Sequence, residues 1–219
     1  MSNNFDPNQN HYIYIEKDTT PLIFIHGVGL DHQMWSPQID NLTEFSTITY
    51  DLLGHGKTPC KKDKLSLNDF SNQLTEILEY LQINKIHLIG FSLGSLIALD
   101  FVTKMQNKVD KLILIGTTYK RTIEERSLVI DRYNQAKLNK PISKQALKRW
   151  FTDKYLEENP MTYDLFMNIL NKKSVDHKNF LKAYELFANH EDATPLIQGI
   201  SSKTLVMTGS DDPGSTPAM

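Results

Sequence analysis

Cysteine is almost absent from this 219-residue sequence, which contains only Cys60. A single thiol cannot form a disulfide within the chain, and it favours a reducing compartment. The residues around Cys60 give no pattern of a reactive thiol. We therefore interpret Cys60 as an ordinary residue of a turn region.

Long apolar runs and an excess of either charge are lacking as well. No apolar stretch approaches the roughly 18 residues that span a bilayer, and the polar amino terminus has no signal-like order of basic and apolar regions. The 24 Lys and Arg nearly balance the 26 Asp and Glu, for a formal net charge of -2. This balance gives no electrostatic case for binding nucleic acid or an anionic membrane, and we expect a soluble cytoplasmic protein.

Short apolar runs recur along the chain, with helical patterns between them. The runs lie at 12–15, 22–26, 46–51, 86–91, 112–116 and 204–209. The later runs are dense in Ile, Leu and Val without strict alternation, as in parallel strands covered on both faces. Ser66 and Asp69 form a capping pattern at the start of a helical stretch. The order predicts an α/β fold, a mostly parallel sheet flanked by helices.

The alternation stops between about 119 and 198, where only helical segments follow one another. Pro141 and Pro160 punctuate this stretch, which is rich in Phe, Tyr, Met and Trp. We expect most of these side chains to pack between helices and a few to line a pocket that faces the sheet. The sequence thus predicts a first part of the core at 1–118, a helical cap at 119–198 and a return to the core at 199–219.

One serine lies between two glycines where a predicted strand meets a predicted helix, in Gly90-Phe91-Ser92-Leu93-Gly94. On so sharp a turn the backbone of the serine is strained and its hydroxyl projects from the sheet, while small neighbours let other elements approach. The start of the helix directs backbone N–H groups toward a developing oxyanion. The alternative is a glycine-flanked turn with an idle serine, which the strand before it and the helix after it disfavour.

Two further motifs precede this turn, and the three together resemble the α/β-hydrolase family in their order. They are His26-Gly27-Val28-Gly29 at the end of an earlier strand and YDLLGHGKTP at 50–59. The resemblance covers residues 22–102 and implies an oxyanion hole made by the N–H groups of Val28 and Leu93. It implies structural roles for His26 and His55.

The same resemblance implies an acid after a late strand, and then a histidine. The segment KTLVMTGSDDPGSTP supplies the acid, and counting from Gly209 favours Asp212, with Asp211 as second choice. An ordinary Asp-Asp-Pro-Gly turn is the alternative. Two departures from the family pattern, Thr58 for serine and Lys203 for proline, do not touch the chemistry.

No histidine follows Asp212 in the sequence. An incomplete reading frame, which we favour, a truncated gene, or a base from elsewhere would each explain this, and His177 and His190 are the remote candidates for such a base. The resemblance implies that the last strand and the closing helix of the family are absent. We therefore expect slow turnover, an exposed apolar sheet edge at 204–209 and poor solubility.

The resulting hypothesis is a serine hydrolase that cleaves a small carboxylic ester or lactone, similar to the 3-oxoadipate enol-lactonase-like and carboxylesterase branch. The resemblance implies Ser92 and Asp212 as catalytic residues and implies no cofactor and no metal. Arg149 either meets a substrate carboxylate, caps a helix or lies in solvent, and we favour the latter two. An acyltransferase on the same fold and a non-catalytic binding protein are the alternatives.

Overall fold

The computed structural model describes residues 4–138, 143–172 and 177–217, without the side chains of residues 177 and 178. The strands are β1 (Asn4–Phe5), β2 (His11–Ile15), β3 (Leu22–Ile25), β4 (Thr47–Tyr50), β5 (Ile86–Phe91), β6 (Val109–Ile115) and β7 (Lys203–Met207). The helices are α1 (Ser36–Ile39), α2 (Leu67–Tyr80), α3 (Leu93–Lys104), α4 (Ile123–Lys137), α5 (Ser143–Trp150), α6 (Asp153–Glu158), α7 (Pro160–Asn171), α8 (His177–Asn189) and α9 (Thr194–Ile197).

All seven strands belong to one sheet, in the order β1-β2-β4-β3-β5-β6-β7. Strands β1 and β2 are antiparallel to their neighbours, and the five strands from β4 to β7 run parallel. The mostly parallel α/β sheet expected from the apolar runs is therefore confirmed. The sequence did not predict β1, which has only two residues.

The two faces of the sheet pack against different helices. On β3, Ile23 and Ile25 contact the core cluster that contains the apolar residues of α2 and α3. Phe24 faces the opposite cluster, with Trp35, Leu147 of α5 and Phe166 of α7. The alternation along β3 follows from the twofold period of a strand, and it shows why both faces needed apolar residues.

Helix α2 begins where its sequence predicts. Ser66 accepts a hydrogen bond from the N–H of Asp69, and the Asp69 carboxylate accepts one from the N–H of Ser66. This reciprocal pair satisfies two N–H groups that a helix start would otherwise leave without a partner. Between β6 and β7 the described residues form helices α4 to α9 and their connections, apart from one isolated bridge between Lys120 and Asp192.

We searched the described residues for a helix long and apolar enough to cross a membrane and found none.

Strand β7 lies at one edge of the sheet and exposes apolar side chains. Leu205, Val206 and Met207 are 52%, 59% and 49% exposed, and β6 is the strand that pairs with β7 in the described sheet. The exposed apolar edge expected at this segment is confirmed. Such an edge offers unpaired backbone groups and apolar surface to other chains.

We expect the 219-residue chain to self-associate through β7. Val206→Glu should lower the associated fraction at a given protein concentration, because a charge on an edge strand disfavours pairing with another strand. Analytical ultracentrifugation over a range of concentrations would measure this. Ile123→Glu is the matched control, since Ile123 is 84% exposed but lies on α4; an equal effect of both substitutions would contradict the role of the edge.

Candidate active site

Ser92 lies in the turn between β5 and α3 with a strained backbone. Its φ of 55° and ψ of -116° are rare for a residue with a side chain, at a cost on the order of 1–3 kcal/mol. The Ser92 N–H donates to the carbonyl of Ile115 at 2.9 Å, and the Ser95 hydroxyl donates to the carbonyl of Gly90 at 2.7 Å. These bonds tie the turn to the end of β6 and hold the strained conformation.

The hydroxyl of Ser92 does not cap the helix that it precedes. Serine at such a position usually accepts a hydrogen bond from the first turn, but Ser92 makes no side-chain capping bond to α3. Its side chain is half-buried and lines a pocket. The oxygen is therefore available on the pocket side of the turn.

Both glycines of the pentapeptide are required by close backbone contacts. A Cβ on Gly90 would lie 2.6 Å from the carbonyl carbon of Gly94, and one on Gly94 would lie 2.8 Å from the carbonyl oxygen of His26. Real Cβ atoms essentially never show contacts this short. The flanking glycines thus let α3 approach β5 and the neighbouring β3.

The loop after β3 comes close to Ser92 for the same reason. Ile25 is paired with Gly90 in the parallel register, so both strands end side by side. A Cβ on Gly27 would lie 3.3 Å from the Cβ of Ser92, and Gly29 has a φ of 75° that favours glycine. Val28, between them, lines the same pocket as Ser92.

His26 holds the loop after β3 in place through its two ring nitrogens. Its Nε2 accepts a hydrogen bond from the N–H of Leu52 at 3.0 Å, so Nδ1 carries the proton and donates to the carbonyl of Gly27 at 2.8 Å. The ring is fully buried, and burial together with the charge of His55 lowers the pKa of His26 to about 3. His26 is thus a neutral ring with a hydrogen bond at each nitrogen, which fits the structural role that the family resemblance implies.

The two adjacent aspartates after β7 face different surroundings. Asp212 is half-buried and lines the pocket, and its Oδ1 accepts hydrogen bonds from the N–H groups of Gly214 at 2.7 Å and Ser215 at 3.1 Å. Its Oδ2 lies beside Gly116 at the end of β6. Asp211 is exposed and is not among the pocket residues.

A pocket of about 1100 Å³ brings these groups together. Val28, Ser92 and Asp212 line it at the carboxyl ends of the parallel strands. Leu93 is buried outside the lining, and it is the first residue of α3, where helical N–H groups have no partner within the helix. Of the remote base candidates, His190 does not line the pocket, and the side chain of His177 lies outside the described residues.

A largely buried network around Asp51 forms part of the pocket lining. The Asp51 carboxylate accepts hydrogen bonds from the rings of His11 and His32, at 2.8 and 2.7 Å, and from the N–H groups of His32 and Lys57. Burial opposes its ionisation, but the bonds from His11 and His32 hold the pKa of Asp51 well below its usual range. The network anchors the 50–59 motif to β2 and to the loop after β3.

Among the described residues, His11, His32 and Asp51 also form a group whose donor atoms are close enough to hold a metal, within 4.8 Å. Sequence spacing does not predict this group, because His11 and Asp51 are 40 positions apart. Both carboxylate oxygens already accept N–H bonds from the two rings. His11, His32 and Asp51 therefore form a hydrogen-bonded network that holds β2, the loop after β3 and the end of β4 together.

His55 and Thr58 complete the turn of the 50–59 motif. His55 contacts the carbonyl of Leu53 through Nδ1, and burial lowers the pKa of His55 to about 4. The Thr58 hydroxyl accepts a hydrogen bond from the N–H of His11 at 2.9 Å. The Thr58 hydroxyl therefore ties the 50–59 turn to the start of β2.

The two buried histidines predict a loss of stability in acid. Because the folded pKa values of His26, about 3, and His55, about 4, lie below the ordinary value, the unfolded chain binds protons between about pH 6.5 and 3 that the folded chain does not. The contribution of His26 and His55 to the free energy of unfolding is complete above that range and is lost as the pH falls through it. Urea midpoints should fall across the range, and less steeply in His55→Asn. An equal flattening by His87→Asn, whose ring is partly exposed, would contradict this assignment.

Two arginines of the cap-like helices also reach the pocket. The expectation that Arg149 lies in solvent was wrong, because Arg149 is half-buried and lines the pocket, although its Nη1 also donates to the carbonyl of Gln145 within α5. Sequence reasoning missed Arg132 of α4 and Tyr184 of α8, which line it too. No motif marks them, since helical spacing alone does not tell which helices pack against each other.

Comparisons with known proteins give the family and the fold. The model of a family described as alpha/beta hydrolase fold matches residues 20–219. The chain is 28% identical to the (E)-2-((N-methylformamido)methylene)succinate hydrolase of Acinetobacter baylyi, over 97% of this chain and 80% of that protein. It is 25% identical to 3-oxoadipate enol-lactonase 2 of the same organism, over 95% of this chain and 78% of that protein.

Solved structures show the same fold. The enol-lactonase from Burkholderia xenovorans superposes with a TM-score of 0.83 at 22% identity, over 95% of this chain and 82% of that one. A thermophilic esterase from Thermogutta terrifontis, solved with malate bound, has a TM-score of 0.83 at 22% identity, over 99% of this chain and 81% of that one. At this identity the likeness establishes the fold.

Proposed function

Because the chain belongs to the α/β-hydrolase fold family, we propose that it is a serine hydrolase that cleaves a small carboxylic ester or lactone through an acyl-enzyme. The observation that carries the proposal is the strained Ser92, whose uncapped side chain lines a pocket together with Val28 and Asp212. The relatives support the substrate class, since they include an enol-lactonase and a succinate-derivative hydrolase.

In the proposed reaction, the hydroxyl oxygen of Ser92 attacks the carbonyl carbon of the substrate. The N–H groups of Val28 and Leu93 donate to the oxyanion that forms, and the positive end of α3 adds to this stabilisation. The tetrahedral intermediate then breaks its bond to the leaving oxygen, which takes up the proton that Ser92 gave up, and an acyl group remains on Ser92. Attack by water on that acyl group releases the acid and restores the serine.

We propose Asp212 as the acid that would orient a catalytic histidine. With Oδ1 held by two N–H groups, Oδ2 is the oxygen left to accept a bond from an imidazole N–H. All seven histidines of the sequence precede Asp212, and His26 and His55 are buried and neutral. Since losing the base of a triad costs about a million-fold in turnover, we propose that these 219 residues alone turn over slowly.

The proposal is tested by trapping the acyl-enzyme. The chain is incubated with a p-nitrophenyl ester, and the modified residue is identified by mass spectrometry of its peptides. Acylation at Ser92, with release of the free acid rather than transfer to an added alcohol, supports the hydrolase. Preferred transfer to the alcohol would identify an acyltransferase. Ester binding without acylation of Ser92, in an incubation long enough to detect the expected slow rate, would identify a binding protein; either outcome overturns the proposal.

A further inference from the structure

His32 lies on the pocket wall that the loop after β3 forms, at the start of a short 3-10 helix, His32–Trp35. Its side chain is 14% exposed, so one edge of the ring is open to the pocket while the other edge is buried. This wall belongs to the core of the protein and not to the helices between β6 and β7. A ligand group that reaches the wall therefore contacts His32.

The orientation of the His32 ring is fixed by one buried carboxylate. Oδ1 of Asp51 accepts the backbone N–H of His32 at 2.9 Å and lies 2.7 Å from the Nδ1 of its ring. The ring of His11 packs edge-on against the His32 ring, with 4.8 Å between ring centres. A His32 ring turned by 180° would place a carbon against Asp51 and lose the bond, so the hydrogen bonding determines where both nitrogens lie.

The carboxylate also determines which nitrogen of His32 carries the proton. Burial opposes the ionisation of Asp51, but the bonds from His11 and His32 hold the pKa of Asp51 well below its usual range. An ionised carboxylate only accepts hydrogen bonds, so Nδ1 of His32 is the donor. In the neutral ring, Nε2 then has a lone pair and is an acceptor.

Nε2 of His32 forms no hydrogen bond within the part of the chain that the structure describes. The polar side chains next to it bind one another instead. Oε1 of Gln33 accepts a bond from the ammonium of Lys172 at 2.9 Å, and Asp31 lies 3.9 Å from the same ammonium. The acceptor at Nε2 is thus available to a group of the ligand that has an N–H or an O–H.

His55 gives the neighbouring part of the pocket the same character. It lies near enough to Asp51 to feel its charge, and its Nδ1 donates to the carbonyl of Leu53 at 3.1 Å because burial, which lowers its pKa to about 4, keeps the ring neutral. Its buried Nε2 has no partner among the described residues, although His55 lines the pocket. A buried acceptor without a donor costs free energy, which a donor in the pocket recovers.

The wall is connected to Ser92 through the loop after β3. A Cβ on Gly27 would lie 3.3 Å from the Cβ of Ser92. His26, the residue before Gly27, accepts a bond from the N–H of Leu52 at 3.0 Å, and Leu52 directly follows Asp51. A ligand whose carbonyl lies at Ser92 therefore reaches His32 by extending along this loop.

We propose that His32 forms a hydrogen-bond acceptor subsite, and that the substrate is an ester or lactone with an uncharged O–H or N–H group remote from its scissile carbonyl. The ester or lactone in this statement rests on the proposed function. The ring is held in place before the ligand arrives, so binding loses little side-chain entropy. The subsite selects a donor, because an ether or a tertiary amide leaves Nε2 without a partner.

Matched ligands that differ in one proton test the subsite. Ethyl ω-hydroxyalkanoates of increasing chain length are compared with their methyl ethers, and the corresponding N-methylamides with their N,N-dimethylamides. Affinities are measured by NMR titration of the Ser92→Ala chain, which binds without acylation. At the chain length that spans the loop, we expect the donor ligand of at least one series to bind about fivefold more tightly than its methylated partner.

His32→Asn is the diagnostic variant. Asparagine keeps an N–H donor for Asp51 at about the place of Nδ1 but has no counterpart of Nε2, so the fold should be retained, with an unchanged urea midpoint. The preference should fall to about one, while the affinity for the methylated ligand stays the same. His87→Asn is the matched control, since His87 does not line the pocket, and it should leave the preference unchanged.

Three results would overturn the subsite. They are equal binding of donor and methylated ligands at every length, a preference that survives in His32→Asn, and a parallel loss of both ligands in that variant. Nitrogen-15 NMR in mildly alkaline buffer checks the tautomer, and a protonated Nε2 in the free chain would also contradict the proposal.

Acylation of the unsubstituted chain separates the two proposals. A preference for the donor ligand in Ser92→Ala, without acylation of Ser92 in the parent chain, would count against the hydrolase alone. Acylation of Ser92 without any such preference would count against the subsite alone.

Discussion

Replacing Ser92 by alanine is expected to abolish labelling of the chain by a fluorophosphonate and to lower its residual ester hydrolysis to the buffer rate. The labelling rate should fall on the order of 1000-fold or more, because the hydroxyl that attacks the probe is removed. Gel fluorescence over time measures the labelling, and release of p-nitrophenol measures the hydrolysis. The fold should survive, since the Ser92 side chain makes no capping bond.

Ser143→Ala is the control for this prediction. Ser143 also lines the pocket, but its hydroxyl donates to Asn171 at 3.0 Å. Ser143 should therefore remain unlabelled both in the parent chain and in Ser92→Ala. Labelling that persists in Ser92→Ala and disappears in Ser143→Ala would show that Ser143 of α5, and not Ser92, is the nucleophile.

Gly94→Ala is expected to have the largest effect on stability. The added Cβ would lie 2.8 Å from the carbonyl oxygen of His26, so α3 and the loop after β3 must separate. We expect a loss of about 3 kcal/mol in the free energy of unfolding, the upper part of the range for overpacked sites. Labelling at Ser92 should also fall, because the N–H groups of Val28 and Leu93 move apart. Urea denaturation and the labelling rate measure the two effects.

Gly209→Ala provides the comparison. A Cβ at Gly209 would lie 3.8 Å from the nearest atom of Asp212, an ordinary contact, and its backbone does not need a positive φ. We expect this variant to unfold within about 1 kcal/mol of the parent chain. If Gly94→Ala were tolerated as well as Gly209→Ala, the close approach of α3 to β3 would not limit the site.

The elements that local chemistry determines were predictable from the sequence. Ser66 and Asp69 predicted the start of α2 because a capping box involves four consecutive residues only. Runs of Ile, Leu and Val predicted β5 and β6, since a parallel strand is apolar on both faces. The two glycines around Ser92 predicted a crowded turn, and the contacts of Gly90 and Gly94 explain them.

The arrangement of the pocket was not predictable in the same way. Arg132 and Arg149 lie on separate helices, and only the packing of α4 and α5 brings them to one cavity. Solvent exposure was the natural expectation for Arg149, because a charged side chain is rarely buried without a partner. Helical periodicity defines the face of one helix but not the neighbour that covers it.

The Asp51 network depended on long-range contacts for the same reason. The hydrogen bonds from His11 and His32 join β2 and the loop after β3 to the end of β4. Nothing in the spacing of these residues indicates a cluster. That Asp212 lines the pocket while Asp211 is exposed also depended on the turn geometry, since neighbouring residues of a loop point in different directions.

The central claim is that Ser92 presents its hydroxyl beside two backbone N–H groups. The most direct test is a crystal structure of the chain after reaction with a phosphonate ester, which imitates the tetrahedral intermediate. The account predicts phosphorus bonded to the Ser92 oxygen and a phosphonyl oxygen about 2.7–3.1 Å from the nitrogens of Val28 and Leu93. Phosphorus on another residue, or a phosphonyl oxygen directed away from both nitrogens, would contradict it.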